Sequence, residues 1–378
     1  MKRRNLRVLT GVAVTALAMS TLQIPAQAAT APPDRDPAAA QAQKHDNLTS
    51  PLGEKQKALR EAAVRQVIKG TAKIETKGGQ RVINLGKGKD GKVKYVQYAV
   101  ERTESIFTIL SDFGIPVKSA ETAGTPGPLN NQIAAPDRLW DGTATDDNST
   151  FWTKDFSRTY FQNLMFGTGE SFKDFYTKQS NGRFLAKGDV SDWVTVPYNA
   201  ASYGSNKISD SEGAWPFIED TATAWYAAQV KLGKTPAEIK AYLVQFDKVD
   251  RYDFNGNGNF NEPDGYIDHF QAIHSGEGEE AGGGAQGADA IWSHSWYVNA
   301  NSAGKTGPSG NLAGGAPIGD TGMWIGDYIT EPENGGLGVF AHEFAHDIGL
   351  PDLYDTAGGD NGTGFWTLMS GGSWLNHG

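Results

Sequence analysis

His342 and His346 stand four residues apart, with Glu343 beside the first, in the run HEFAHDIGLPD that ends at Asp352. On a helix this spacing stacks both imidazoles on one face, so that both can reach a single ion. Glu343 is then placed to act as general base on a water held by that ion, the arrangement that hydrolyses a peptide carbonyl. Two imidazoles and a carboxylate are a donor set for catalytic zinc, which needs three protein ligands and leaves a fourth position for water. Gly349 can end the helix in a left-handed turn and Pro351 blocks its resumption, so the reversed chain would return Asp352 to the metal. No Glu follows Phe344, which rules out a downstream Glu ligand within the chain. Asp355 and Asp360 could replace Asp352, although neither has the turn behind it.

Further along, Met369 lies in the run WTLMSG. HExxHxxG followed by such a methionine resembles the metzincin metallopeptidases and their Met-turn, with Asp352 where the usual third ligand is His.

A second group of oxygen donors runs from Asp253 to Asp264. Asp253, Asn255, Asn257, Asn259 and Asp264 alternate in the manner of an EF-hand-type loop, and Gly258 falls where the sharp turn is required. Asn259 would offer its backbone carbonyl, and Asp250 and Asp268 could complete the shell. The expected ion is structural calcium. His274 and His294 read as structural histidines near strand ends.

The elements that would position these groups follow from periodicity and punctuation. Residues 54–69 place Leu59, Ala63 and Val67 on one helical stripe ended by Gly70. Residues 73–98 alternate between glycines and read as short strands. Buried strands are expected at 105–110 and 266–273, and another begins at Ile291. The alternating stretch 184–196 reads as strands separated at Gly188. Helices are expected within 152–178, broken near Gly167, and over 214–232. Leu337 to Phe344 has the apolar content of a buried active-site helix. The segment Trp324 to Thr330 before it is a candidate edge strand for an extended substrate.

The first 28 residues combine Lys2, Arg3, Arg4 and Arg7 with an apolar run and the small-x-small site Ala26-Gln27-Ala28, as in a secretory signal. A linker and pro-segment are expected over 29–103 and the catalytic domain over 104–378. Residues 51–102 hold thirteen Lys/Arg against five Asp/Glu, while 103–378 carry a net −21 within a total of −10. A basic front piece could therefore cover an acidic body. The acidic body argues against nucleic acid as a partner, and no later stretch is apolar enough for stable membrane insertion. With no cysteine in the chain, thiolate metal sites and thiolate latency are excluded, leaving carboxylates such as Asp34, Asp36 or Asp46 to block the metal.

The motifs HEFAHDIGLPDLYD (His342–Asp355), DFNGNGNFNEPDGYIDHF (Asp253–Phe270) and GEGEEAGGGAQGADAIWSH (Gly276–His294) resemble the immune inhibitor A family of secreted bacterial metallopeptidases. Ser180-Asn181-Gly182-Arg183, with Gly188 and Trp193, resembles its early catalytic region. The resemblance implies an α/β (α+β) metzincin-like domain with a twisted mixed sheet, a backing helix and an active-site helix, preceded by a pro-segment. It also implies zinc at His342, His346 and Asp352, Glu343 as base, calcium near Asp253, and further β-rich domains beyond Gly378, so that the chain is expected to stop short. The resulting expectation is a secreted, zymogenic zinc endopeptidase whose partners are protein or peptide substrates and its own pro-segment. Two alternatives share parts of this pattern: a noncatalytic calcium-stabilised binding protein and a zinc amidase acting on non-protein substrates.

Overall fold

The computed structural model describes residues 46–143, 146–356 and 362–377. The expected leader at 1–28, and the carboxylates Asp34, Asp36 and Asp360, lie outside the described residues.

An N-terminal helix, α1 (Pro51–Ile68), begins earlier than periodicity alone suggests. The Ser50 hydroxyl accepts the Gly53 N–H at 3.0 Å, and Pro51 supplies a first-turn φ without an orphaned donor. It packs on an antiparallel sheet of β1 (Lys73–Lys77), β2 (Gln80–Lys87) and β3 (Val93–Gln97), through Leu59, Ala63, Ile83 and Val96.

The chain then enters β4 (Arg102–Phe113), followed by α2 (Arg158–Phe166), α3 (Phe172–Gln179) and β5 (Phe184–Val196). Next come α4 (Ala201–Gly204), α5 (Asp210–Lys231), α6 (Pro236–Leu243), β6 (His269–His274) and β7 (His294–Tyr297). The last elements are β8 (Ala316–Pro317), β9 (Trp324–Ile325), β10 (Asp327–Pro332) and α7 (Gly336–Asp347). Five of these strands form a mixed sheet in the order β5-β4-β6-β10-β7, parallel except for β7. The sheet is covered on both faces, which explains the nearly continuous apolar run of β4. Phe107, Ile109 and Phe113 face α5, while Ile106 and Leu110 face α2, α3 and α7.

Two expectations need correction. The segment 184–196 is one unbroken strand. Gly188 sits inside it because a Cβ there would lie 2.2 Å from the Ile106 carbonyl and 2.4 Å from the Phe166 ring. The segment 324–330 is not one edge strand: residues 324–325 form β9, paired with β8, and β10 is hydrogen-bonded to β6 on one side and β7 on the other. With a neighbour on each side, β10 is interior to the sheet, and β7 ends the row instead. Among the described residues no helix is long and apolar enough to cross a membrane.

Candidate active site

α7 carries His342, Glu343 and His346, all buried. It closes in a Schellman motif: Gly349 N–H reaches the His346 carbonyl at 2.8 Å, and Leu350 N–H reaches the Ala345 carbonyl at 2.8 Å. Gly349 adopts φ +98°, open to glycine and strained for other residues. This turn carries the chain back, so that Asp352 Oδ1 lies 3.4 Å from His342 Nε2 and 3.2 Å from His346 Nε2.

The two ring Nε2 atoms stand 3.1 Å apart. Each Nδ1 faces a backbone carbonyl, His342 toward Leu368 at 2.8 Å and His346 toward Leu350 at 2.9 Å. A proton on each Nδ1 leaves both Nε2 lone pairs aimed at one point, the outer-partner arrangement that orients metal-binding imidazoles. Asp352 Oδ1 is buried without a hydrogen-bond donor other than these rings. A divalent cation between the three residues would satisfy all of these groups, so the donor set fits zinc. Leu368 immediately precedes Met369, which is buried, and the Met369 carbonyl accepts the Leu353 N–H at 2.7 Å. The expected Met-turn thus meets both the first imidazole and the segment bearing Asp352.

A fourth donor comes from the front of the chain. Asp46, His342, His346 and Asp352 can place one ligand atom each within 4.8 Å of one another. Asp46 Oδ2 lies 3.5 Å from His342 Nε2 and accepts a hydrogen bond from the Tyr354 hydroxyl. Asp46 was one of three carboxylates that sequence could not choose among, and Tyr354 carried no sequence signal. Burial opposes charge on His342, yet Asp352 and Asp46 raise it to about 11. For Asp352 burial acts upward, but the two imidazoles hold it well below the usual carboxylate range. Burial, with Asp46, Glu331 and Glu280 nearby, pushes Glu343 well above its ordinary value despite His342. Its Oε2 has no partner within the protein, leaving it for a water.

Behind α7 lies a network that sequence reading missed. Asp347, the residue after His346, pairs with His269 Nδ1 and accepts from Arg251 Nη1 at 2.8 Å. His269 Nε2 also meets Glu104 at 3.4 Å, and Arg251 reaches Asp327 at 3.4 Å. Burial alone would lower the His269 pKa, but Asp347 and Glu104 raise it to about 9. The protonated imidazolium therefore favours the folded state, fully below pH 6.5 and progressively less as pH rises through about 9. Relative to His269→Gln, the wild type should lose up to about 3 kcal/mol of unfolding free energy across that interval. Denaturant titrations at several pH values, with metal content fixed, measure this; parallel pH profiles for the two proteins would refute it.

In the Asp253 loop, Gly258 has φ +77° and donates its N–H to Asp253 Oδ1 at 2.9 Å. Asn255, Asn257 and Asn259 converge through their amides on Glu262, at 2.5, 2.8 and 2.6 Å. Glu262 is thus the hub, a role the alternation of donors did not reveal. Asp264 lies instead near Asp247, Asp250 and Asp268; burial first, then these charges, raise it to about 9. The basic front piece docks here: Phe260 packs with Val82 and Tyr95, and Asn261 Nδ2 donates to the Gly78 carbonyl at 3.1 Å. His274 and His294 are buried and hydrogen-bonded away from the metal cluster, to Ser275 and to Trp292 and Tyr328.

The family model of the immune inhibitor A peptidase M6 catalytic domain matches residues 92–378. Immune inhibitor A of Bacillus thuringiensis subsp. alesti is 37% identical over 240 residues, 59% of this chain and 33% of that protein. The pre-pro-metalloprotease PrtV of Vibrio cholerae serotype O1 (strain M66-2) is 31% identical over 335 residues, 83% of this chain and 33% of that protein. The chain spans about a third of the length of these curated relatives. With the match extending over the sheet, α7 and the Asp352 turn, the chain belongs to the immune inhibitor A family of M6 peptidases.

Proposed function

We propose that this protein is a secreted zinc endopeptidase made as a latent precursor. The observation that carries the reading is the convergence of His342, His346, Asp352 and Asp46 on one point beside a buried glutamate. His342 and His346 would hold zinc through Nε2, and Asp352 through a carboxylate oxygen. Bound zinc would supply Lewis-acid polarisation of the scissile carbonyl and lower the pKa of water. Glu343 would take the proton of the attacking water and return it to the leaving amine. The Tyr354 hydroxyl, which donates to Asp46 in the latent arrangement, would donate to the developing oxyanion once the strap departs.

The strap is the segment Asp46 to Leu48, paired with edge strand β7 through Ser295 N–H to the Asp46 carbonyl at 2.6 Å and Leu48 N–H to the Ser295 carbonyl at 2.9 Å. It occupies the place that an extended peptide would take. Arg60 of α1 further ties the front piece to the active-site turn, donating to the Ile348 carbonyl at 3.0 Å. The experiment is a digest of denatured casein by zinc-loaded wild type and Asp46→Ala, with and without chelator. Asp46→Ala should cleave ~10-fold faster or more, as expected when a contact that closes the site is removed, and chelator should stop both. Equal rates for the two proteins would overturn latency by Asp46; cleavage untouched by chelator would overturn the metal.

The Asp253 loop is proposed to bind calcium, supported by its alternating oxygen donors and the Gly258 turn. Titrating calcium into zinc-loaded, calcium-free protein should raise stability by about 2.7 kcal/mol at a hundred times Kd. Asp253→Ala should lose that gain. Unfolding curves that calcium does not move would count against the site.

A further inference from the structure

The strap shows how the cleft treats a side chain. It runs parallel to β7, and side chains of successive residues on an extended segment alternate, so those of Asp46 and Leu48 share a face. Asp46 turns toward the histidines. Leu48 lines a pocket with Tyr203, Ala214, Ile291, Trp292 and His294, and with Leu48 in place the remaining cavity is only about 20 Å³. Tyr203, Ala214 and Ile291 are buried apolar walls. Both His294 nitrogens are engaged, with the Trp292 carbonyl at 2.7 Å and the Tyr328 hydroxyl at 2.9 Å, so the ring adds no unmet polar demand to the pocket. Among the described lining residues, half-buried Asp210 is the one carboxylate.

Taking the peptidase reading above as its basis, we propose that this pocket is a substrate specificity subsite that selects aliphatic and aromatic side chains and rejects acidic ones. Its position follows from chain direction. Moving from the metal cluster toward the pocket follows the direction of β7, since the strap is parallel to it. A substrate paired antiparallel to β7 therefore places residues N-terminal to the scissile bond there. If its attacked carbonyl belongs to the residue in the place of Asp46, the pocket takes the side chain two residues earlier. The parallel strap presents the same side chains in reversed polarity, filling the subsite while offering no correctly oriented peptide bond. Burying one aliphatic side chain in such a pocket discriminates by about 10-fold or more.

Two measurements on the full-length, zinc-loaded chain test this. In the first, hydrogen exchange of the β7 segment is followed in Leu48→Asp and in Thr49→Asp, whose side chain is exposed. Leu48→Asp should speed β7 exchange ~10-fold and Thr49→Asp should not, as the loss of an aliphatic anchor implies; equal effects overturn the pocket. In the second, Asp46→Ala digests a randomised peptide library. Leu, Ile, Met and Phe should be enriched ~10-fold over Asp and Glu two residues before the cleaved residue, and Trp292→Ala should shift the preference toward larger rings. Cleavage without preference there, or with the preference on the C-terminal side, overturns the subsite. No cleavage of any peptide by zinc-loaded Asp46→Ala would instead defeat the peptidase reading, and the exchange measurement would still decide whether the pocket holds an aliphatic side chain.

Discussion

Replacing Glu343 by Gln or Ala in the Asp46→Ala background should lower kcat on peptides by about 10³-fold, leave KM nearly unchanged and leave the zinc content intact. The size follows from the range of 10²–10⁴ expected for a positioned general base. The split follows from role: Glu343 is not among the groups that converge to hold the metal, and its Oε2 has no protein partner to lose. The same substitution should have an opposite effect on stability. Glu343 is 2% exposed and its carboxyl is held well above the ordinary range by burial and by neighbouring acids. At pH values where it must ionise without a metal, the metal-free fold carries a desolvated charge that Gln does not. Metal-free Glu343→Gln should therefore be more stable than wild type above neutral pH, by about 1 kcal/mol or more, the usual scale for a buried polar group without a partner. Activity measured beside elemental analysis and unfolding curves checks all three statements. Undiminished hydrolysis by either variant would remove Glu343 from the chemistry.

The site was legible in sequence wherever local geometry alone decides it. His342, Glu343 and His346 share one helical turn, and Gly349 and Pro351 dictate the reversal that delivers Asp352. These relations span eleven residues and need no tertiary information. What escaped depends on pairings across long stretches of chain. Asp46 lies nearly three hundred positions before His342, and its arrival depends on the pairing of a three-residue strap with β7, which no local pattern encodes. His269 and Arg251 find Asp347 only because β6 runs beneath α7, so their charges look like loop decoration until the sheet order is known. The misplacing of the edge strand has the same origin. Trp324 to Thr330 has the β-branched and aromatic residues of a strand, but composition cannot say how many neighbours a strand has. Glu262 was passed over because the EF-hand pattern assigns its residues by position, whereas the fold gathers three asparagine amides on a residue that the pattern skips.

Metal retention should separate the roles of the two carboxylates that face the histidines. Wild type offers two imidazoles, Asp352 and Asp46, a closed set of four like that of structural zinc sites. Asp46→Ala leaves three protein ligands and an open position, as in catalytic sites. Asp352→Ala also leaves three, but the strap then fills the position that substrate needs, so zinc can stay while hydrolysis is lost. The double variant leaves only His342 and His346. Its zinc affinity should fall at least about 100-fold below that of Asp46→Ala, since losing even an outer hydrogen-bond partner of a ligand costs roughly 10–100-fold. Asp355→Ala, which removes a carboxylate without the Schellman turn behind it, should retain zinc as wild type does. Competition titrations with a chromogenic chelator measure the series. Equal affinities for Asp46→Ala and the double variant would show that Asp352 is not a ligand, and loss of zinc in Asp355→Ala would name its replacement. The order of affinities thus tests the ligand set independently of catalysis, and activity confined to Asp46→Ala would show that one carboxylate builds the site while the other closes it.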